Sequence, residues 1–252
     1  MKIDFKHTLS VILPAVIIIS LSAGTAVGSR IPNPGGAADS AFRVRTDRPA
    51  DSAWEPVQSE SSPDTRTFRF INRDLSNSFF DTVMPFITEF ENFRIIVLLI
   101  WSGLVIFGGS RGRWAALALI PIVVLSDQIS SALMKPLFHR LRPCEVLGGV
   151  HFWNDDLGWI TTPAEVTRVY KSSLSFPSGH AANITASLIF LGLVYRKTLV
   201  PLALIAALVS FSRIYTGVHW PLDTAAGILL GLLIAFPAYF LFRRYAPADR
   251  EE

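Results

Sequence analysis

Long stretches of the chain lack the polar stripe that an amphipathic helix would show. Unbroken apolar runs occupy roughly residues 95–108, 114–133, 181–195, 198–211 and 222–242, and another lies at 8–27. A soluble helix keeps one face polar. These runs are apolar on all sides, and the longer ones reach the ~20 residues needed to cross the hydrocarbon of a bilayer. The pattern predicts an all-α membrane protein, a six-transmembrane-helix bundle in which several spans are short.

The stretch from Phe68 to Phe93 has a different rhythm. Phe68, Ile71, Leu75, Phe79, Val83, Phe86 and Phe90 recur at intervals of three and four, with Arg73, Asp74, Asp81 and Glu89 left over. That is one helical face. It predicts a helix lying in the outer-face interface, broken near Pro85.

Residues 1–28 carry Lys2 and Lys6 ahead of the first apolar run. They predict a retained transmembrane helix, with a secretory signal as the alternative because small residues follow the apolar centre. Residues 29–67 are rich in Pro, Gly, Ser, Asp and Arg with little to bury, and predict a flexible exported linker. Residues 68–252 form the membrane-embedded domain. Its short loops carry Arg111 and Arg113, then Arg196 and Lys197, and Arg243 and Arg244 follow the last run. All three basic clusters fall on one side if the N-terminus is cytoplasmic.

Composition narrows the picture. Half of the 252 residues are hydrophobic and the mean hydropathy is +0.40. The formal charge of +3 is not gathered into a stripe that would track nucleic acid. Cys144 is the single cysteine, so neither an intrachain disulfide nor a multi-cysteine metal site can form.

Three polar stretches fall on the outer side by this topology. The first, Lys135 to Pro143, holds Lys135 and Arg142 seven residues apart, two helical turns if the segment stays helical, so that both point one way. Cations fixed at an interface suit phosphate. The second, Ser175-Phe176-Pro177-Ser178-Gly179-His180, enters the next span, where helical N–H groups bind anions and His180 is placed to exchange a proton. The third holds Arg213, His219 and Asp223. A carboxylate one turn after a histidine fixes its tautomer and raises its basicity. Snorkelling to headgroups explains any one of these stretches, but not their convergence on one face.

Lys135-(six residues)-Arg142-Pro143, Pro177-Ser178-Gly179-His180 and Ser212-Arg213-(five residues)-His219-(three residues)-Asp223 together resemble the three-part signature of the type 2 phosphatidic acid phosphatases, the PAP2 superfamily. The resemblance spans about Lys135 to Asp223, and residues up to about Thr67 have no part in it. It implies that His219 attacks phosphorus to form a phosphohistidine, with Asp223 holding its ring. His180 protonates the leaving oxygen and then activates water. Lys135, Arg142, Ser178, the Gly179 backbone and Arg213 cradle the phosphoryl oxygens. It implies a metal-independent enzyme without cofactor, acting on a membrane lipid phosphate at the outer face of a bacterial inner membrane. Candidate substrates are undecaprenyl pyrophosphate, lipid A, phosphatidylglycerol phosphate and phosphatidate. A lipid phosphotransferase and a non-catalytic headgroup-binding bundle are the competing readings.

The remaining polar residues predict less. His139 and Arg140 are expected to anchor at the interface, with contact to a second phosphate as the alternative. His7 and His151 have no partner visible in sequence. The aromatic loop between Cys144 and Ser175 reads either as a lid over the site or as an interfacial anchor.

Overall fold

A computed structural model describes residues 61–163 and 174–246. The first apolar run, His7, most of the polar segment after it and part of the loop before Ser175 lie outside the described residues.

The first described helix starts where the sequence was expected to remain linker. α1 spans Pro63–Arg69, with Ser62 as N-cap accepting from the Thr65 N–H and proline at the first position. Asp64, Thr65 and Phe68 are buried. Ser-Pro-Asp is a helix-start signal, so the boundary at residue 67 falls inside a helix. A π-helical turn, Phe70–Asp74, continues it.

α2 spans Ser78–Thr88, and Pro85 lies inside it. The expected break at Pro85 is displaced upstream to Asn77, whose side chain accepts from the N–H groups of Phe79 and Phe80. Pro85 offers no N–H to the Asp81 carbonyl. The indole of Trp159 takes that place, donating to Asp81 O at 2.9 Å, so the helix passes through its proline unbroken.

The apolar runs are helices α3 (Arg94–Phe107), α4 (Gly109–Asp127), α7 (Gly179–Val194), α8 (Leu199–Tyr215) and α9 (Pro221–Tyr245). A π-helical segment, Gln128–Met134, carries α4 into α5 (Lys135–Phe138). α6 (Pro143–Val146) and an antiparallel hairpin, β1 (His151–Asn154) with β2 (Gly158–Thr161), follow. Trp153 pairs with Trp159 across the hairpin.

Among the described residues, three segments are long and apolar enough to cross a membrane: Gly109–Val146, Arg196–Tyr215 and Pro221–Tyr245. Arg94–Phe107 and Gly179–Val194 are apolar but shorter. The chain is a mostly helical, multi-pass membrane protein. Large apolar side chains from Ile95 to Ile100, with Phe107, Leu229, Leu233 and Phe240, face outward, as lipid-facing residues do.

α7 lies at the centre, packed on α4, α8 and α9. Ala186, Phe190 and Val194 of α7 pack with Ala115 and Ile122 of α4 and Ile234, Ala235 and Tyr239 of α9. α7 and α9 meet closely because Gly227 and Gly231 face it; a Cβ at Gly231 would stand 2.7 Å from the Ala182 carbonyl oxygen. At the basic-loop end, Arg111 donates to the Val194 carbonyl at the end of α7. At the other end a second core of Phe68, Cys144, Leu147, Val150, Phe152, Ile214, Val218 and Trp220 forms a cap. The three polar stretches meet beside it.

Candidate active site

Lys135 and Arg142 are not on one continuous helix. α5 ends at Phe138, and His139 takes a left-handed backbone, φ 46°. Arg142 is extended and becomes the N-cap of α6, with Pro143 at its first position. The turn carries Arg142 inward to 5% exposure. There Nη1 donates to the Val218 carbonyl at 2.9 Å and stands 3.3 Å from His219 Nε2.

α7 begins at the second stretch. Ser178 is its N-cap, and its Oγ accepts from the Ala181 N–H. The Ser178 N–H donates to the Asp223 carbonyl at 2.9 Å, tying the start of α7 to the first turn of α9. Gly179 and His180 are the first helical residues, and His180 is exposed.

The third stretch turns between α8 and α9. Gly217 has φ +80°, and a Cβ there would stand 2.9 Å from Val150 Cγ1, so the turn requires glycine. Asn72 pins it, donating to the Tyr215 carbonyl at 2.8 Å and to that of His151 at 2.6 Å. Asp223, at the third position of α9, accepts from the Trp220 N–H at 3.0 Å.

His219 is buried between these groups, 2% exposed. Arginine has no acceptor, so its approach to Nε2 requires that nitrogen's lone pair and assigns the proton to Nδ1. Nδ1 lies 3.6 Å from Asp223 Oδ2 and 3.3 Å from Ser175 Oγ, and the Ser175 hydroxyl donates to that same Oδ2. Burial, then the charges of Arg142, Arg213 and Lys135, hold the His219 imidazole well below its ordinary pKa. It is therefore neutral at physiological pH, with its lone pair in a field of cations.

A cavity of about 140 Å³ opens beside this pair. Arg213 and His180 line it with Thr88, Trp153, Glu89 and Asp155. Arg213 Nη1 donates to Thr88 Oγ1 at 2.6 Å. His180 is within electrostatic reach of Arg213, His219, Arg142 and Lys135. The structure thus brings residues of the second and third stretches, His180 and Arg213, to the cavity wall, and holds His219 beside them within the field of Arg142, Arg213 and Lys135. Such a set can hold a phosphoryl group and exchange a proton with it.

Several residues at the site were not assigned to it from sequence. Ser175 and Thr88 touch the groups above. Arg140, expected to anchor at the interface, is instead paired with Asp223 at 2.6 Å and with Asp64. His151 has a partner, Asp81, at 3.0 Å, and stacks on Trp159 with centroids 4.0 Å apart. Their partners lie some 70 or more residues away in the chain, and no local pattern signals such pairs.

This is a multi-pass helical membrane protein with a polar pocket lined by Arg213 and His180. The PAP2 superfamily model matches residues 115–246, more than half of the chain, and the chain belongs to that superfamily. It is similar to the undecaprenyl-diphosphatase of Sulfolobus acidocaldarius, 51% identical over 29% of this chain and 36% of that protein. It is also similar to the lipid A 4'-phosphatase of Porphyromonas gingivalis, 30% identical over 51% of this chain and 50% of that one. The matches thus span between a third and a half of those relatives' length. Its fold is like that of the transmembrane PAP2 type phosphatidylglycerolphosphate phosphatase from Bacillus subtilis, with a TM-score of 0.52 at 20% identity, covering 77% of this chain and 93% of that one.

Proposed function

We propose that this protein is a metal-independent lipid phosphatase that works through a phosphohistidine at His219. The observation that carries the reading is the orientation of His219. Nε2 faces the Arg142 guanidinium, and Nδ1 faces Ser175 and Asp223. The Nε2 lone pair forms the N–P bond as the bond from phosphorus to the leaving oxygen breaks. His180 gives that oxygen its proton. Lys135, Arg142 and Arg213, with the Ser178 hydroxyl and the Gly179 N–H, stabilise charge on the equatorial oxygens, as metal ions do in other phosphoryl-transfer sites. His180 then takes a proton from water as it attacks phosphorus, and the N–P electron pair returns to Nε2.

The pocket opens at the edge of an apolar bundle, which fits a substrate whose tail stays in the bilayer. Undecaprenyl pyrophosphate, lipid A, phosphatidylglycerol phosphate and phosphatidate all meet that condition. Six spans, with residues 8–27 as the first, a cytoplasmic N-terminus and α2 lying in the outer interface complete the proposal. They put the pocket on the exterior face of a bacterial inner membrane. Phe79 and Phe86 of α2 are exposed, as an interfacial helix requires.

The test is phosphate release from these four lipids by the purified protein in detergent, with EDTA present and His219→Ala alongside. Release that survives EDTA and disappears in the variant is the expected result, and the fastest lipid identifies the substrate class. Release that requires added metal, or that persists in His219→Ala, overturns the proposal.

A further inference from the structure

Arg140 stands behind the His219–Asp223 pair. Its Nη1 donates to Asp223 Oδ1 at 2.6 Å, its Nη2 donates to Asp64 Oδ2, and its guanidinium lies 5.0 Å from the Trp220 ring centroid. The Arg140, Asp64 and Asp223 side chains are 15%, 6% and 0% exposed, so solvent screens this row of charges little. Asp64 comes from α1, ahead of the segment that the family model matches. Its Oδ1 also accepts from the Leu222 N–H at 2.9 Å, which fixes it to the turn carrying Asp223. The Arg140 carbonyl in turn accepts from the Ser175 N–H at 2.7 Å. Arg140 therefore holds the Asp223 carboxylate through its guanidinium and, through its carbonyl, the Ser175 whose hydroxyl touches the same carboxylate.

A cation between two carboxylates divides its attraction. Whatever charge Arg140 neutralises on Asp223 weakens that carboxylate's hold on the Nδ1 proton, and whatever Asp64 draws from Arg140 restores it. An imidazole that must both take and release a phosphoryl group needs intermediate basicity. We infer that Arg140 and Asp64 are positioning residues for phosphoryl transfer: Arg140 fixes the Asp223 carboxylate and damps its charge, and Asp64 sets how far. This rests on the phosphatase reading above. It joins α1 to the nucleophile through Arg140 and Asp223. Lys135, Arg142, Arg213 and His180 face His219 as basic groups and Asp223 is the carboxylate set against them. A change in the loading of Asp223 therefore reaches the nucleophile across 3.6 Å and through the Ser175 hydroxyl.

The test compares the full-length wild-type protein with Asp64→Asn, Arg140→Gln and Arg140→Lys, measuring kcat and KM against pH on a lipid phosphate that the wild type hydrolyses. Asp64→Asn keeps an oxygen for the Leu222 N–H but gives Arg140's whole charge to Asp223, so the acid limb of kcat moves to lower pH. Arg140→Gln leaves Asp223 undamped, and the acid limb moves to higher pH. The expected loss of kcat at neutral pH is about 10-fold for Asp64→Asn and about 100-fold for Arg140→Gln. KM stays within about twofold because the phosphate-facing cations are untouched, and Arg140→Lys recovers part of kcat. Acid limbs that coincide with the wild type, or losses confined to KM or to thermal stability, overturn the inference. If the wild type hydrolyses no lipid, the phosphatase reading fails by itself. The pH midpoint for modification of His219 by diethyl pyrocarbonate, read by peptide mass spectrometry, then decides. Opposite shifts in the two variants uphold the inference, and unmoved midpoints overturn it.

Discussion

His219 Nδ1 and Asp223 Oδ2 stand 3.6 Å apart, beyond a direct hydrogen bond, and the Ser175 hydroxyl lies against both. Ser175 is fully buried, and its oxygen is positioned to accept the Nδ1 proton while its own proton goes to the carboxylate. The histidine is therefore oriented through a serine as well as by the aspartate. Ser175→Ala is expected to lower kcat about 10-fold or more with KM nearly unchanged, measured by steady-state phosphate release. An equal loss in KM would place Ser175 among the substrate contacts instead.

The neutral state of His219 gives a pH signature in stability. Burial and three nearby cations hold its folded-state pKa below the ordinary value, which is about 6.5 in an unfolded chain. Between those two values the unfolded chain binds a proton that the folded chain does not, so stability rises with pH across the window. As pH falls below about 6.5 the folded state loses stability, by up to about 1.4 kcal/mol per pH unit. Thermal unfolding in detergent between pH 5 and 7 is expected to show this slope, and His219→Asn to flatten it. A slope unchanged in His219→Asn would assign it to other groups.

Much of the bundle was legible because apolar runs without a polar stripe have few physical solutions. The run expected at residues 95–108 is the helix Arg94–Phe107. The helix expected to stop at residue 211 runs on to Tyr215, because Ser212 and Arg213 turn into the protein and remain helical. The route expected to bring Lys135 and Arg142 together was wrong. Two helical turns were expected, whereas a left-handed His139 ends the helix and a separate N-cap presents Arg142. Asp64 was hidden within residues assigned to a linker, although Ser62, Pro63 and Asp64 together spell a helix start. Its ion pair with Arg140 spans 76 positions, and periodicity carries no information over that distance.

Thr88 holds the pocket's Arg213. The 2.6 Å bond from Nη1 to its Oγ1 fixes a guanidinium that lines the cavity, while His219 is untouched. Thr88→Val keeps the shape and removes the acceptor. The expected result is a rise in KM of about 3- to 10-fold with a smaller change in kcat, the size of one hydrogen bond to a charged group. Inhibition by vanadate, a phosphate mimic, is expected to weaken in parallel. A variant with normal KM and vanadate affinity would show that Arg213 holds its place without Thr88.

The site also depends on how closely α7 and α9 approach. At Gly227 a Cβ would stand 2.4 Å from the Ser178 carbonyl oxygen and 3.0 Å from Ala181 Cβ. The first neighbour is backbone, so it cannot swing away as a side chain would. Gly227→Ala must separate the helices at the end where the Ser178 N–H bonds to the Asp223 carbonyl. The expected cost is about 1–3 kcal/mol of stability, together with a fall in kcat as His180 moves away from His219. Gly103→Ala is the matched control, since a Cβ there meets nothing within 4 Å and alanine is the better helix former. Thermal unfolding and phosphate release measured on both variants should separate them: lower Tm and lower kcat for Gly227→Ala, neither for Gly103→Ala. If Gly227→Ala unfolds at a lower temperature yet keeps wild-type kcat, the helix contact supports the fold without setting the distance between the two histidines.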